Sequence, residues 1–463
     1  MKWWNRWANR ASLRAHHKFG ARVDRYKFTD RRTIIAALLE DEAIAAAVRA
    51  HAAEHELSEA DAWDRVRIYL NEIVPEFSLW FYYKVGLAIA ERVLKLFFRV
   101  DVVHKRVGAV AALPRDAVIV YLMNHRSNAD YVLTGYALGG QVAISYAVGE
   151  WARVFPLEYL FKAFGAYFIR RRFREPLYHA VLEQYVQLIT KNGVTQGIFP
   201  EGGLTRDGKF RPAKIGLLDY IIGVARDPAV AARTYIVPVA INYDRVLEDR
   251  SLLRELNPEA GHRPPGKLVQ LSVVLWYAAW NTFRLLTRSW KRHGDAVVVI
   301  GEPVPLAPWF ALLDARGKRL FELPREERLA EVQALADDAM RRIGELVPIP
   351  AVPLVCAAIQ TLDAHYITRE RLLERVDQMR ESLADDGRLI VAPEEPAHAV
   401  LDRAIELLWM RRAVARDKGG IIVLPKGREL VSYYANSVAH LLGEFEAAVR
   451  ASDALPVYAV VDL

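Results

Sequence analysis

The residues most able to do chemistry in this chain begin with Asn124-His125-Arg126-Ser127-Asn128-Ala129-Asp130. A neutral imidazole is the side chain best suited to take a proton from a hydroxyl near neutral pH. A carboxylate bonded to one ring nitrogen fixes the tautomer and leaves the other nitrogen free to accept. Positions five apart lie about 140° apart on a regular helix. His125 and Asp130 therefore meet only if His125 sits in a loop and Asp130 in the first helical turn. The apolar run 117–123 predicts a buried strand just before them, and a helix is expected from about Ser127. Ser127-x-x-Asp130 is also a capping box, which accounts for both residues by helix initiation but leaves His125 unexplained. No G-x-S-x-G elbow occurs, which disfavours a serine hydrolase. His125 and Asp130 alone do not make a metal site, and no metal is expected.

Three further segments carry functional residue types. Gly165-Ala166-Tyr167-Phe168-Ile169-Arg170-Arg171-Arg172 ends a strand-like run in arginines, natural ligands for phosphate oxygens or simply a solvated basic run. Phe199-Pro200-Glu201-Gly202-Gly203-Leu204-Thr205-Arg206 runs from a strand end into paired glycines, which let backbone N–H groups approach an anion. Glu201 could bond a polyol hydroxyl, and Arg206, Lys209, Arg211 and Lys214 make the loop cationic. Asp207-Gly208 would equally suit a hairpin turn. The run Tyr235–Arg245 reads as a buried strand and, alone, says only core.

These segments need a scaffold, and the sequence predicts an α/β one. Strand candidates at 117–123, 141–148, 197–199, 235–242 and 296–300 alternate with helical patterns such as 176–191, implying a mixed sheet flanked by helices. Residues 33–70 read as helices. After Pro305 the pattern turns mainly helical, over 320–347, 365–385 and 397–416, interrupted by a strand-like Gly420–Leu424. A soft boundary falls near residue 312. At 463 residues with 52% hydrophobic and 26% charged side chains, the chain is neither disordered nor polytopic. Cys356 is the only cysteine, so it forms no intrachain disulfide and reads as core filler.

Three stretches point to a lipid surface. Residues 1–33 hold Trp3, Trp4 and Trp7 and ten Lys/Arg against Asp24 and Asp30. Phe77–Val100 places Lys84, Glu91, Arg92, Lys95 and Arg99 on one face of an otherwise apolar helix, a pattern for lying in the interface rather than spanning it. Leu268–Phe283 is uncharged but shorter than the roughly 20 residues a full span needs. No secretory h-region follows the basic N-terminus, so the cytoplasmic face of a membrane is expected, with peripheral or monotopic attachment. Positive charge alone suggests a nucleic-acid binder, but no recognition module is present and no nucleic-acid partner is expected.

In this order, the four segments resemble the glycerolipid acyltransferase superfamily: H-x4-D, an F-I-R-R-like run, F-x-E-G with basic residues, then a V-P strand. The branch resembled most is that of the bacterial membrane glycerol-3-phosphate acyltransferases and the related dihydroxyacetone-phosphate enzymes. His125-Arg126-Ser127 with Asp130-Tyr131, Phe168–Arg171 and Glu201-Gly202-Gly203 with Thr205-Arg206 carry that likeness. Lys214-Ile215-Gly216, Gly301-Glu302-Pro303 and Tyr433–His440 add to it. Leu204, Asn128 and Pro200 depart from that branch, Leu204 standing where an arginine is common.

The resemblance implies transfer of a fatty acyl group from acyl-CoA or acyl-carrier protein, as co-substrate, to the sn-1 hydroxyl of glycerol 3-phosphate, with no cofactor. It implies His125 as general base and Asp130 as its orienting partner. Arg170, Arg206 and Lys214 would hold the acceptor phosphate, with Glu201, Gly202 and Gly203 fixing the glycerol. Lysophosphatidate and dihydroxyacetone-phosphate acyltransferases, and a non-catalytic membrane scaffold, are the competing readings. The implied division is a basic helical region 1–76, an amphipathic interface helix 77–104, a catalytic domain 105–312 and a mainly helical domain 313–463.

Overall fold

The computed structural model describes residues 26, 29–78, 82, 86–139, 144–149, 157–170, 173–256, 292–362, 364–443 and 445. The tryptophan-rich N-terminal stretch before residue 26, Leu268–Phe283, Arg171 and Arg172 lie outside the described residues.

Helices α1 (Arg31–Leu39), α2 (Glu42–Glu54) and α3 (Glu59–Ile73) start at Asp30, Asp41 and Ser58, whose side-chain oxygens accept first-turn N–H groups. Helix α4 (Leu87–Phe97) leads into β1 (Arg99–His104). Then follow β2 (Val118–Met123), α5 (Asp130–Gly139), β3 (Ser145–Gly149), α6 (Leu157–Ala163), β4 (Tyr167–Ile169) and α7 (Pro176–Lys191). The alternation continues through β5 (Gln196–Ile198), α8 (Gly216–Ile222), α9 (Pro228–Ala232), β6 (Thr234–Tyr243), α10 (Asp249–Leu256) and β7 (Asp295–Ile300). Next come β8 (Val304–Pro305), α11 (Ala307–Ala315), α12 (Arg325–Glu345), α13 (Ala351–Leu362), β9 (Tyr366–Thr368) and α14 (Arg369–Asp385). The last elements are α15 (Ala397–Met410), β10 (Val414–Asp417), β11 (Gly420–Val423) and α16 (Arg428–Asn436).

The main sheet has the order β1-β7-β6-β2-β5-β3-β4, with β8 beside β6. Strands β2 to β6 run parallel to one another, while β7 is antiparallel to β6 and parallel to β1. Every residue of β2, β3, β5 and β7 is buried. Strands buried along their whole length belong to a sheet covered on both faces. The mixed α/β core expected from the alternation is therefore present. Its parallel part matters for the site: β2, β4, β5 and β6 all end on one edge, and His125, Arg170, Glu201 and Tyr243 stand at those ends. Ligands of open α/β sheets bind along that edge.

Two details differ from the sequence reading. The helix expected over Phe77–Val100 ends at Phe97, and β1 begins at Arg99. Arg99 pairs in register with Asp295, and its Nε and Nη2 reach that carboxylate at 2.7 and 3.0 Å. The strand expected at Gly420–Leu424 is present as β11, but it sits in a small antiparallel sheet, β10-β11-β9, whose other two strands overlap stretches expected to be helical. Its partners are three and four residues long, too short to show a period. Among the described residues no helix is long and apolar enough to cross a membrane.

Near residue 312 the element type changes, but packing runs through. One core cluster extends from Ile34 to Leu442, and α12 lies against β6 and β2. Asn242 Nδ2 donates to the Pro348 carbonyl at 3.0 Å, and the Val352 amide donates to Asp244 Oδ1 at 2.8 Å.

Candidate active site

Asn124 prepares the turn that carries His125. Its side-chain amide donates to the Ile241 carbonyl at 2.9 Å and accepts from the Ile241 amide at 2.8 Å, extending the β2–β6 ladder by one step. His125 then leaves the strand end. Its amide donates to Glu201 Oε1 at 2.8 Å, and its carbonyl accepts from the Thr205 amide at 3.3 Å. Its Nδ1 stands 2.9 Å from Asp130 Oδ2. Helix α5 opens at Asp130, three residues later than Ser127, so His125 is in the loop and Asp130 in the first turn.

Asp130 is fully buried yet well supplied with donors. Oδ2 also accepts from the Arg126 and Ser127 amides at 2.7 and 3.0 Å, and Oδ1 from the Tyr243 hydroxyl at 2.5 Å. The carboxylate thus caps the helix and holds the imidazole at once. Facing a carboxylate, Nδ1 carries the proton, which leaves the Nε2 lone pair available. Nε2 makes no hydrogen bond among the described residues. The ring is stacked on Phe199 at 4.1 Å and meets Tyr131 edge-on at 5.4 Å. Tyr146 and Phe161 extend this aromatic wall from Tyr131.

Glu201 is a brace rather than an open ligand. One oxygen takes the His125 amide, and the other takes the Arg211 amide at 3.0 Å. Burial pushes its carboxyl up, and Arg126 and these amides pull it back down. Gly202 has φ +65°, and a Cβ there would lie 2.7 Å from the Lys214 Cδ, so the lysine stem runs along the bare glycine. Gly203 is buried beside them. The Lys214 amide donates to the Pro200 carbonyl at 2.8 Å.

His125, Asp130, Glu201, Gly202, Gly203 and Lys214 are thus brought together. Arg206 lies on the same loop but is half-exposed and paired with Glu255 at 2.8 Å. Arg170 is not brought to this cluster. Strand β4 lies three strands from β2, about 14 Å across the sheet. There the Arg170 guanidinium makes two bonds to Glu72, at 3.0 and 2.7 Å, under the faces of Tyr69, Phe173 and Tyr178. It fastens α3 to the sheet edge.

The sequence reading assigned no role to several residues that build the site. Tyr243 sat in a run that read only as core. Glu248, pushed up by burial, accepts from the Ser127 hydroxyl at 2.6 Å and the Asn128 amide at 3.2 Å, and no motif marks it. Arg126 was visible in the first segment, but its partners lie far along the chain. Its fully buried guanidinium donates to the carbonyls of Gly208 and Ser437 and covers the Phe210 ring at 5.3 Å. Asn436 donates to the Asp207 carbonyl at 2.8 Å. Gly208 has φ +86°, and any Cβ there would collide with the Tyr433 carbonyl. The Asp207-Gly208 turn is therefore gripped between Arg126 of the His125 loop and the last turn of α16. Among the described residues no group of three or more His, Cys, Asp or Glu is placed to share a metal ion.

This geometry coincides with two family matches. Residues 106–242 match the family described as Acyltransferase, and residues 279–445 match the Glycerol-3-phosphate acyltransferase C-terminal region. The likeness to acyltransferases therefore falls in two stretches, one on each side of the site. Both parts of the site fall inside these acyltransferase matches: the His125 loop in the first, the Ser437 anchor in the second. Proteins named glycerol-3-phosphate acyltransferase are similar along most of the chain. The one from Pseudoalteromonas translucida is 27% identical over 432 residues, covering 90% of this chain and 50% of its own length. That from Aeromonas hydrophila is 27% identical, with 90% and 50% covered, and that from Glaesserella parasuis 28%, with 89% and 50%. The chain spans about half the length of these relatives. The crystal structure of the 1-acyl-sn-glycerophosphate acyltransferase from Thermotoga maritima is 19% identical at a TM-score of 0.32, covering 57% of this chain and 78% of that one.

Proposed function

We propose that this chain transfers a fatty acyl group from a thioester donor to the sn-1 hydroxyl of glycerol 3-phosphate, giving lysophosphatidate. The observation that carries this reading is the buried His125–Asp130 pair, with Nε2 unengaged among the described residues, inside an acyltransferase family match. His125 Nε2 takes the hydroxyl proton as the oxygen attacks the thioester carbonyl. The tetrahedral intermediate then expels the thiolate, which recovers that proton from the imidazolium. Asp130 holds the tautomer and stabilises the imidazolium. No acyl-enzyme and no cofactor are needed.

Lys214 and Arg206 are the phosphate ligands of this reading. Arg206 must exchange its surface partner Glu255 for the substrate, a small cost for an exposed pair. Glu201 acts through the loops it ties together, and Arg170 through the sheet edge. The donor is acyl-CoA or acyl-carrier protein. A lipid surface on the cytoplasmic face of a membrane is the working location. Ile89 and Val93 of α4, Val132 of α5 and Tyr159 of α6 support it as exposed apolar side chains, on the two helices that carry Tyr131 and Phe161 and on α4, which packs against α5.

The test is an acceptor panel. Glycerol 3-phosphate, dihydroxyacetone phosphate and lysophosphatidate are each offered with a labelled acyl donor, and labelled products are counted. Glycerol 3-phosphate should be acylated fastest. Preference for either other acceptor reassigns the substrate, and no transfer to any of the three leaves the non-catalytic scaffold.

A further inference from the structure

A cleft of about 480 Å³ opens between the segment after the Glu-Gly-Gly loop and the last turns of α12. Phe210 and Arg211 form one wall, Arg341 and Gly344 another, and Arg388 and His440 complete it. Its charges are unevenly matched. Arg341 is neutralised by Asp338 and Glu345, while Asp337, exposed and bonded to the neutral Gln333, keeps its negative charge. Arg211 has no carboxylate partner among the described residues; its guanidinium donates to the Leu204 carbonyl at 3.3 Å. Arg388 has none either, and its Nε is buried without a hydrogen-bond partner. Behind Phe210 lies Arg126, whose guanidinium donates to backbone carbonyls and acts on the Glu201 carboxylate.

His440 lines the same cleft. Burial pushes its imidazole down to about 4, and Arg126 and Arg388 push the same way against its bond to the Gly344 carbonyl. Two arginines without a carboxylate partner among the described residues, set in one partly dry concave surface, suit an anion with several acceptor oxygens. The position is also telling. The Arg211 amide and the His125 amide occupy the two oxygens of one carboxylate, Glu201, so the cleft adjoins the His125 loop through a single side chain.

We propose that this cleft is a second anion site, binding a phosphate ester through Arg211 and Arg388. The anion site stands on the cleft alone. The identity of the ester rests on the acyl-transfer reading, in which acceptor and donor both carry phosphate esters.

The test titrates the full chain with inorganic phosphate, glycerol 3-phosphate and coenzyme A in turn. The imidazole resonance of His440, assigned by its loss in His440→Gln, is followed against pH. A phosphate anion bound beside His440 should raise its pKa by about one unit. A shift with phosphate and glycerol 3-phosphate assigns the site to the acceptor head; a shift with coenzyme A alone assigns it to the donor. Arg388→Ala should remove the ligand-dependent shift and weaken binding by about tenfold. A His440 resonance unmoved by all three ligands, or equal binding in Arg388→Ala, overturns the proposal. Acyl transfer assayed on the same samples separates the two readings. Transfer without a shift removes only the cleft, whereas a shift without transfer keeps the cleft and removes the acyltransferase activity.

Discussion

Two loops leave the same edge of the sheet and fare differently. The loop after β2 carries His125 and closes on itself: Asp130 lies five residues on, and its four donors and Glu201 hold the imidazole in a buried frame. The loop after β4 carries Arg170, whose charge is taken up by Glu72, 98 residues earlier, beneath three aromatic rings. Both looked like site segments in the sequence. The first has a reactive atom left over, the second has spent its guanidinium on structure. A functional residue type at a strand end becomes a site only if its local partners leave one atom unsatisfied.

The sharpest way to break this contrast is His125→Ala. Turnover should fall by about 10²–10⁴ while the unfolding transition stays near that of the parent protein, as for loss of a general base. Activity within a few-fold of the parent would move the reactive centre elsewhere. Glu72→Ala tests the other loop. Arg170 would be left with its charge unmatched, and stability should drop by roughly 2–4 kcal/mol, discounted from a fully buried pair because its side chain is 23% exposed. Turnover per folded molecule should hold. If instead stability holds and the Michaelis constant for the phosphorylated acceptor changes, Arg170 is a phosphate ligand after all.

A finer probe of the first loop is Tyr243→Phe. Removing one hydrogen bond to a charged carboxylate is worth about 1.5 kcal/mol, so turnover should fall roughly tenfold with substrate affinity kept. A purely structural tyrosine would lower the melting temperature and leave turnover alone. The smallest effect is expected from Arg206→Ala, a several-fold rise in the Michaelis constant for the phosphorylated acceptor at unchanged turnover. An unchanged constant would pass the phosphate to Lys214 alone.

Much of the architecture was legible because its signals are local. Apolar runs ending in glycine or polar residues mark β2, β5, β6 and β7, and the Ser127-x-x-Asp130 pattern marks the start of α5 within three residues. The five-residue step from His125 to Asp130 restricted the pair to a loop-and-first-turn geometry, and the structure has that geometry. Other features were out of reach. The register that makes Arg99 a strand residue depends on Asp295, and the short strands β9 and β10 carry no period of their own. The change to helices near residue 312 suggested a boundary, yet Arg126, Asn242 and Asp244 bond straight across it.

His125 shows where the division falls. The sequence by itself determined which residue types stand at the strand ends and that the imidazole could meet a carboxylate nearby, because spacing and helix geometry are local properties. Only the tertiary structure decided what each charged side chain spends its charge on. Glu201 became a brace between two amides, Arg170 a fastener for α3, and Arg126 a buried cation gripping a turn and the chain beyond α16. Those outcomes depend on partners tens to hundreds of residues away, and burial makes the partner decisive: a desolvated charge takes whatever donor or acceptor the packing brings to it.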